Sequence, residues 1–267
     1  MPEGDTVWRS ALQLDRALTG RTLLETDFRV PAHATLDLAG HQVTATLARG
    51  KHLLTRIGSG VEAGSGSEVT LHTHLKMEGS WHLYKPGSRW RRPPHEARVV
   101  LRTEAWTAVG FALGIVEVVP REAEDTVLGH LGPDLLGPDW DEEEALRRLL
   151  VNPSRPAGEA LLDQRCLAGI GNLYKVETLF LSGVSPFTRV TDVPDLRKVV
   201  RLARRMLMAN RMTAAQSTTG STRRGQEHWV FGRAGQSCRR CGTTILSAMQ
   251  GPPGRDRITY WCPACQG

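Results

Sequence analysis

Cys238, Cys241, Cys262 and Cys265 stand in the pattern C-x2-C-x20-C-x2-C. Two matched knuckles offer four soft thiolates, enough to close a tetrahedral shell around one Zn²⁺. With every position taken by sulfur, none is left for a reactive water, so such a metal is structural. The competing reading, a redox dithiol, usually needs one CxxC and not two. At the other end of the chain, Pro2 follows Met1 and precedes Glu3. A small second residue permits loss of the initiator methionine, which would leave a secondary amine next to a carboxylate. That amine is either an idle chain end or a nucleophile, and these residues alone leave both open. A third motif, GIGN at residues 169–172, places Asn172 at the start of a helix. Unpaired N–H groups there can hold a phosphate. A glycine turn with an Asn cap also serves as an ordinary helix connection.

These motifs need elements to hold them. The first 120 residues read mostly as strands, in HQVTATLARGKHLLTRI, EVTLHTHLKM and ARVVLRTEAWTAVGFAL,. A helix over Thr6–Thr19 carries Val7, Ala11, Leu14 and Leu18 on one face,. GSGVEAGSGSE, residues 58–68, reads as a solvated hairpin tip,. Residues 121–140 are rich in Pro, Gly and acids and form the expected domain boundary,. Four helices follow: EEEALRRLLV, started by Asp141 and Glu144 as a capping box; SRPAGEALLDQ, with Pro156 in its first turn; NLYKVETLFLSG, closed by Gly183 and Pro186; and DLRKVVRLARRMLMAN,. The last puts Leu196, Val199, Val200, Ala203, Met206 and Leu207 on one face and Arg197, Arg201, Arg204 and Arg205 on the other,. Short strands in TTILSA and DRITYW make the cysteine module a β-hairpin zinc finger. Cys166 reads as a small buried core residue,.

The net charge of +6 and a pI near 9.4 favour a polyanionic partner,. Distribution sharpens this: from Arg197 to Arg257 there are 13 Arg or Lys residues against two acids, Glu227 and Asp256. Within the finger, Arg239, Arg240, Arg255 and Arg257 suggest phosphate contact, although many zinc ribbons bind protein instead. No run of about 18 apolar residues occurs and no signal pattern opens the chain, so a cytoplasmic protein is expected,.

Taken together and in this order, MPEG, GIGNLYKVE and CRRCG…RITYWCPACQ closely resemble the formamidopyrimidine-DNA glycosylase / endonuclease VIII family, on its endonuclease VIII side. The resemblance covers essentially the whole chain. It implies an α+β protein: an N-terminal catalytic β-sandwich with flanking helices (1–120), a linker (121–140), a helix-two-turn-helix domain (141–225) and a zinc finger (226–267). It implies a monomer that binds double-stranded damaged DNA in the cytoplasm, near the nucleoid, with DNA in a cleft. One structural Zn²⁺ is the expected cofactor.

Residue by residue, the resemblance puts the nucleophile on Pro2 and the catalytic carboxylate on Glu3. It assigns Lys51 to catalysis and to phosphate, Asn172 and Arg257 to phosphate, His74 to a backbone phosphate and Met77 to the emptied base stack. Of His72 and His74, one could simply be solvated. The implied activity is a bifunctional glycosylase and abasic-site lyase for oxidised bases, pyrimidines first, ending in β,δ-elimination. A same-fold protein that only binds abasic or damaged DNA is the alternative. EAWTAVGFALGIVEVV lacks the arginine with which the purine-lesion branch fills the void opposite a lesion, and residues 213–237 look short for that branch's capping loop. Met77 is therefore the one wedge residue that can be named.

Overall fold

The computed structural model describes residues 2–58, 68–254 and 256–267. The interior of the expected hairpin tip, 59–67, and Arg255 lie outside them. The chain divides into two compact units. Pro2 and Thr6–His130 form one; Glu3–Asp5 and Leu131–Gly267 form the other.

In the first unit, helix α1 (Gly4–Leu18) precedes eight strands: β1 (Glu25–Phe28), β2 (Gln42–Arg49), β3 (His52–Gly58), β4 (Val69–His74), β5 (Ser80–Tyr84), β6 (Ala97–Arg102), β7 (Thr107–Phe111) and β8 (Ile115–Pro120). They form two four-stranded antiparallel sheets, ordered β1-β6-β7-β5 and β2-β3-β4-β8. Both contribute to one core. Val43, Leu53, Ile57 and Leu71 from one sheet pack with Phe28, Trp81, Val99, Leu101 and Ala108 from the other. The predicted face of α1 closes this core, with Val7, Ala11, Leu14 and Leu18 all buried. The short helix α2 (Asp125–Leu128) follows. Just before it Glu124 accepts from Arg56 Nε at 3.0 Å and Thr70 Oγ1 at 2.6 Å, so part of the expected linker belongs to this unit.

The second unit contains α3 (Glu142–Leu150), α4 (Ala157–Leu162), α5 (Asn172–Ser182), α6 (Leu196–Asn210) and the hairpin β9 (Leu246–Gln250) and β10 (Arg257–Trp261). Asp141 caps α3, its carboxylate accepting from Glu144 N at 3.0 Å. Asp195 caps α6 through Lys198 N at 2.8 Å. Gly183 ends α5 at φ +69, a left-handed conformation that suits glycine,. Every residue from Asn172 to Phe180 is buried, so α5 is an axial helix with no solvent face. Pro156 sits at the N-cap of α4, one residue outside the helix. Among the described residues no helix is long and apolar enough to cross a membrane.

The arginine face of α6 is partly spent on the fold. Arg197 and Arg201 pair with Glu142 and Glu143 at the start of α3, and Arg204 lies over the Trp140 ring. The basic last third is thus a weaker open surface than its residue count suggests. Cys166 is half-buried, not part of the core; its Sγ lies 3.6 Å from Arg148 O, and burial raises its thiol above the usual range.

Candidate functional site

Within the second unit, residues 3–5 are held to the start of α5 and to Gln216 through the Glu3 and Asp5 carboxylates and Gly4 N. The Glu3 carboxylate accepts from Gly171 N at 2.6 Å and from Leu173 N at 2.8 Å. Gly4 N donates to Gly169 O at 2.8 Å. Asp5 accepts from Tyr174 Oη at 2.7 Å and from Gln216 Nε2 at 2.9 and 3.0 Å. Both acids are buried. Glu3 fills the N-terminus of α5, where backbone N–H groups have no helical partner and the dipole favours an anion. The sequence suggests a phosphate there; the anion in place is the chain's own Glu3. The glycines of GIGN allow this approach: a Cβ on Gly171 would lie 2.5 Å from Glu3 Cδ.

Gly171, not Asn172, is the N-cap of α5. Asn172 is the first helical residue, and its Nδ2 donates to Ile258 O at 2.8 Å. Its buried Oδ1 has no partner among the described residues. One turn on, Lys175 is fully buried and donates from Nζ to Thr259 Oγ1 at 2.9 Å. Arg257 opens β10 next to these contacts and is exposed. Glu3, Asn172, Lys175 and the start of β10 therefore meet at one end of α5. Sequence reading missed Asp5, Tyr174, Gln216 and Lys175. Only Lys175 left a signal there, a charge inside an apolar helical run.

The four cysteine sulfurs lie within 4.8 Å of one another. Cys238–Cys265 and Cys241–Cys262 are 3.9 and 3.5 Å apart. A tetrahedron with bonds of about 2.3 Å has edges of about 3.8 Å, so the set fits a thiolate-bound metal. Cys238 and Cys262 pack against Val176 and Phe180 of α5 and against Val230 and Ile245. Of the finger's arginines, Arg239 is tied to Gly225 O and His228 O, and Arg240 lies 4.5 Å over the Phe180 ring.

In the first unit Lys51 occupies the tight turn joining β2 to β3. His52 follows it, paired in register with His74. Neither His72 nor His74 is simply solvated. His72 is buried, with Nδ1 2.9 Å from Glu117 Oε2 and Nε2 2.8 Å from His52 Nδ1. Burial, then the charges of Lys76 and Lys51, lower His74 to about 4; burial and the neighbouring histidines lower His52 to about 3. Both rings are thus neutral near pH 7. His74 Nδ1 accepts from Lys76 N at 2.9 Å, which leaves its proton on Nε2 as a neutral donor,. Met77 is 65% exposed in the turn after β4, where Lys76 has φ +51. A strand would have favoured Met77 in the core; the turn presents it to solvent.

Two family models match the chain. The formamidopyrimidine-DNA glycosylase N-terminal domain matches residues 1–112, and the H2TH domain of the same glycosylase matches residues 131–220. The chain is 51% identical to a probable endonuclease 8 2 of Streptomyces coelicolor, covering all of this chain and 94% of the relative. It is 47% identical to the DNA-(apurinic or apyrimidinic site) lyase Nei2 of Mycolicibacterium smegmatis, over 100% and 99% of the two chains. In fold it resembles a Lactococcus lactis Fpg solved with DNA containing an abasic site, with a TM-score of 0.80 at 20% identity and full coverage of both chains.

Proposed function

We propose, because the chain belongs to the formamidopyrimidine-DNA glycosylase family, that it is a bifunctional DNA glycosylase and abasic-site lyase acting on oxidised bases, pyrimidines first, in double-stranded DNA. The observation that carries this is the seat of Glu3: a buried carboxylate fixed by two backbone N–H groups, one residue from Pro2.

On this reading Met1 is removed and the Pro2 nitrogen attacks C1′ of the damaged nucleotide. The base leaves and an iminium forms between proline and sugar. An α-amino group titrates near 8, so a useful unprotonated fraction exists at neutral pH. Glu3 exchanges protons with the opening sugar ring. The iminium draws electrons from C2′, the 2′ proton is lost, and the 3′ phosphate leaves; a second elimination releases the 5′ phosphate. Lys51 and Arg257 supply cations to the flanking phosphates, and the second N–H of Asn172 Nδ2 and the Nε2–H of His74 supply neutral donors. Met77, exposed at a turn, is the apolar wedge that fills the space left by an everted base. The four cysteines hold one structural Zn²⁺. Compartment follows substrate: the protein works on cytoplasmic, nucleoid DNA.

The test is trapping. Purified protein is incubated with an abasic-site duplex and a thymine-glycol duplex in the presence of borohydride. The expected result is a covalent adduct with both, mapped by peptide mass spectrometry to Pro2. Binding of both duplexes without any adduct would instead identify a damaged-DNA binding protein. Arg257→Ala gives a second check. Affinity should fall alike for many sequences, and the slope of log K against log salt should flatten by about one. A loss confined to one lesion would contradict a phosphate role.

A further inference from the structure

Lys175 is a buried cation that the chemistry above leaves unused. It is fully buried in the first turns of α5, the end of the helix that seats the Glu3 carboxylate. Its Nζ donates to the buried Thr259 hydroxyl of β10 at 2.9 Å. A lysine aliphatic stem could be replaced there by leucine or methionine, and a charged head without water is costly. The residue therefore needs a reason beyond packing. The ionisable groups acting on it are carboxylates: Glu3 from the N-terminal segment and Glu159 from α4. The face of α6 toward the helices is apolar, with Val199, Val200, Ala203 and Leu207 buried. β10 contributes the Thr259 hydroxyl, with Arg257 two residues before it.

We propose that Lys175 is a positioning residue for Glu3: its buried ammonium holds the Glu3 side chain as a carboxylate in the resting protein and yields that hold when Glu3 takes up a proton. Two facts make the coupling effective. The low-dielectric surroundings strengthen any charge interaction across α5's first turns. Burial lowers the Lys175 ammonium, and Glu3 and Glu159 oppose that lowering, so its charge depends on the state of Glu3,. Protonation of Glu3 removes one of the two anions that keep Lys175 charged. The pair then relaxes together, and the proton on Glu3 is not pulled away at once. Glu3 so arranged can accept and return a proton within one turnover, as the proposed chemistry requires.

The inference rests on the proposed role of Glu3, so its test is independent of activity. Protein carrying ¹³C-labelled glutamate carboxyl groups is titrated by NMR, with the Glu3 signal assigned by its loss in Glu3→Gln. In Lys175→Met the Glu3 midpoint should rise by about one pH unit or more. Lys175→Arg should restore most of the shift, because it keeps the charge. Thr259→Val, which removes only the hydroxyl partner, should move Glu3 the same way by less. It serves if the methionine variant does not fold. A Glu3 midpoint unchanged in folded Lys175→Met or Thr259→Val overturns the inference. The acid limb of the borohydride-trapping profile should follow the NMR midpoint. If the wild type gives no adduct while the Glu3 midpoint still shifts, the enzyme reading fails and the coupling stands.

Discussion

Glu177→Ala should lower the stability of the helical unit by about 3–5 kcal/mol. Glu177 is fully buried, and its two oxygens collect four donors. Oε1 accepts from Val230 N and Phe231 N, both at 2.8 Å. Oε2 accepts from Trp229 N at 2.8 Å and from the Thr218 hydroxyl. Alanine leaves three backbone N–H groups without an acceptor. Each stranded buried donor costs about 1–3 kcal/mol, reduced where water can enter. For a unit of this size that is roughly 10 °C in melting temperature, at about 2–4 °C per kcal/mol. The damage spreads in a defined direction. Val230 packs in the same cluster as Cys238 and Cys262, so metal retention should weaken together with stability. Thermal unfolding and chelator-competed zinc release measure the two. A melting point within about 2 °C of wild type would mean that the 217–231 loop is held by something else.

Glu3→Gln should slow borohydride trapping by about 10²–10⁴-fold, the range for loss of a general acid–base group. Binding to a non-cleavable abasic analogue should change little. The substitution keeps the volume of the side chain but not its acceptors. Gly171 N and Leu173 N now share one carboxylate, at 2.6 and 2.8 Å. A carboxamide offers one oxygen and turns an NH2 toward the other donor. It also removes the negative charge at the start of α5, worth about 0.3–1 kcal/mol. A modest loss of stability is therefore expected beside a large loss of rate. Circular dichroism and melting establish that the variant is folded before rates are compared. A trapping rate within about threefold of wild type would remove Glu3 from the chemistry.

Periodic and local signals were legible in the sequence. The apolar face of α1, the Asp141 cap, the glycine end of α5 and the cysteine knuckles each follow from residue types at short spacing. The hairpin of the cysteine module was placed a few residues early, since TTILSA covers only the first part of β9. The polar scaffold was not legible. Asp5 to Tyr174 and Gln216, Glu177 to residues 218–231, and Arg197 to Glu142 join residues far apart in the chain. Such pairs have no period and no required spacing. The basic last third shows the same limit. Composition counts charges, and only the fold shows that Arg197 and Arg201 face Glu142 and Glu143 and that Arg239 holds a loop. GIGN shows it from the other side. Its glycines marked a close backbone approach, yet nothing local could reveal that the approaching group stands 168 residues earlier, at Glu3.

The anchoring of residues 3–5 also sets an order of events during synthesis. Their partners lie at Gly169 to Tyr174 and at Gln216. At about 5–20 residues per second, Gln216 is made roughly 10–40 s after Glu3. Until then the head of the nascent chain lacks its full set of docking partners. Seating comes only once the helical half is out of the ribosome. A chain that stalls before Gly169 carries Pro2 and Glu3 without the helix end that arranges them, so unfinished protein would have no assembled centre with which to cut DNA.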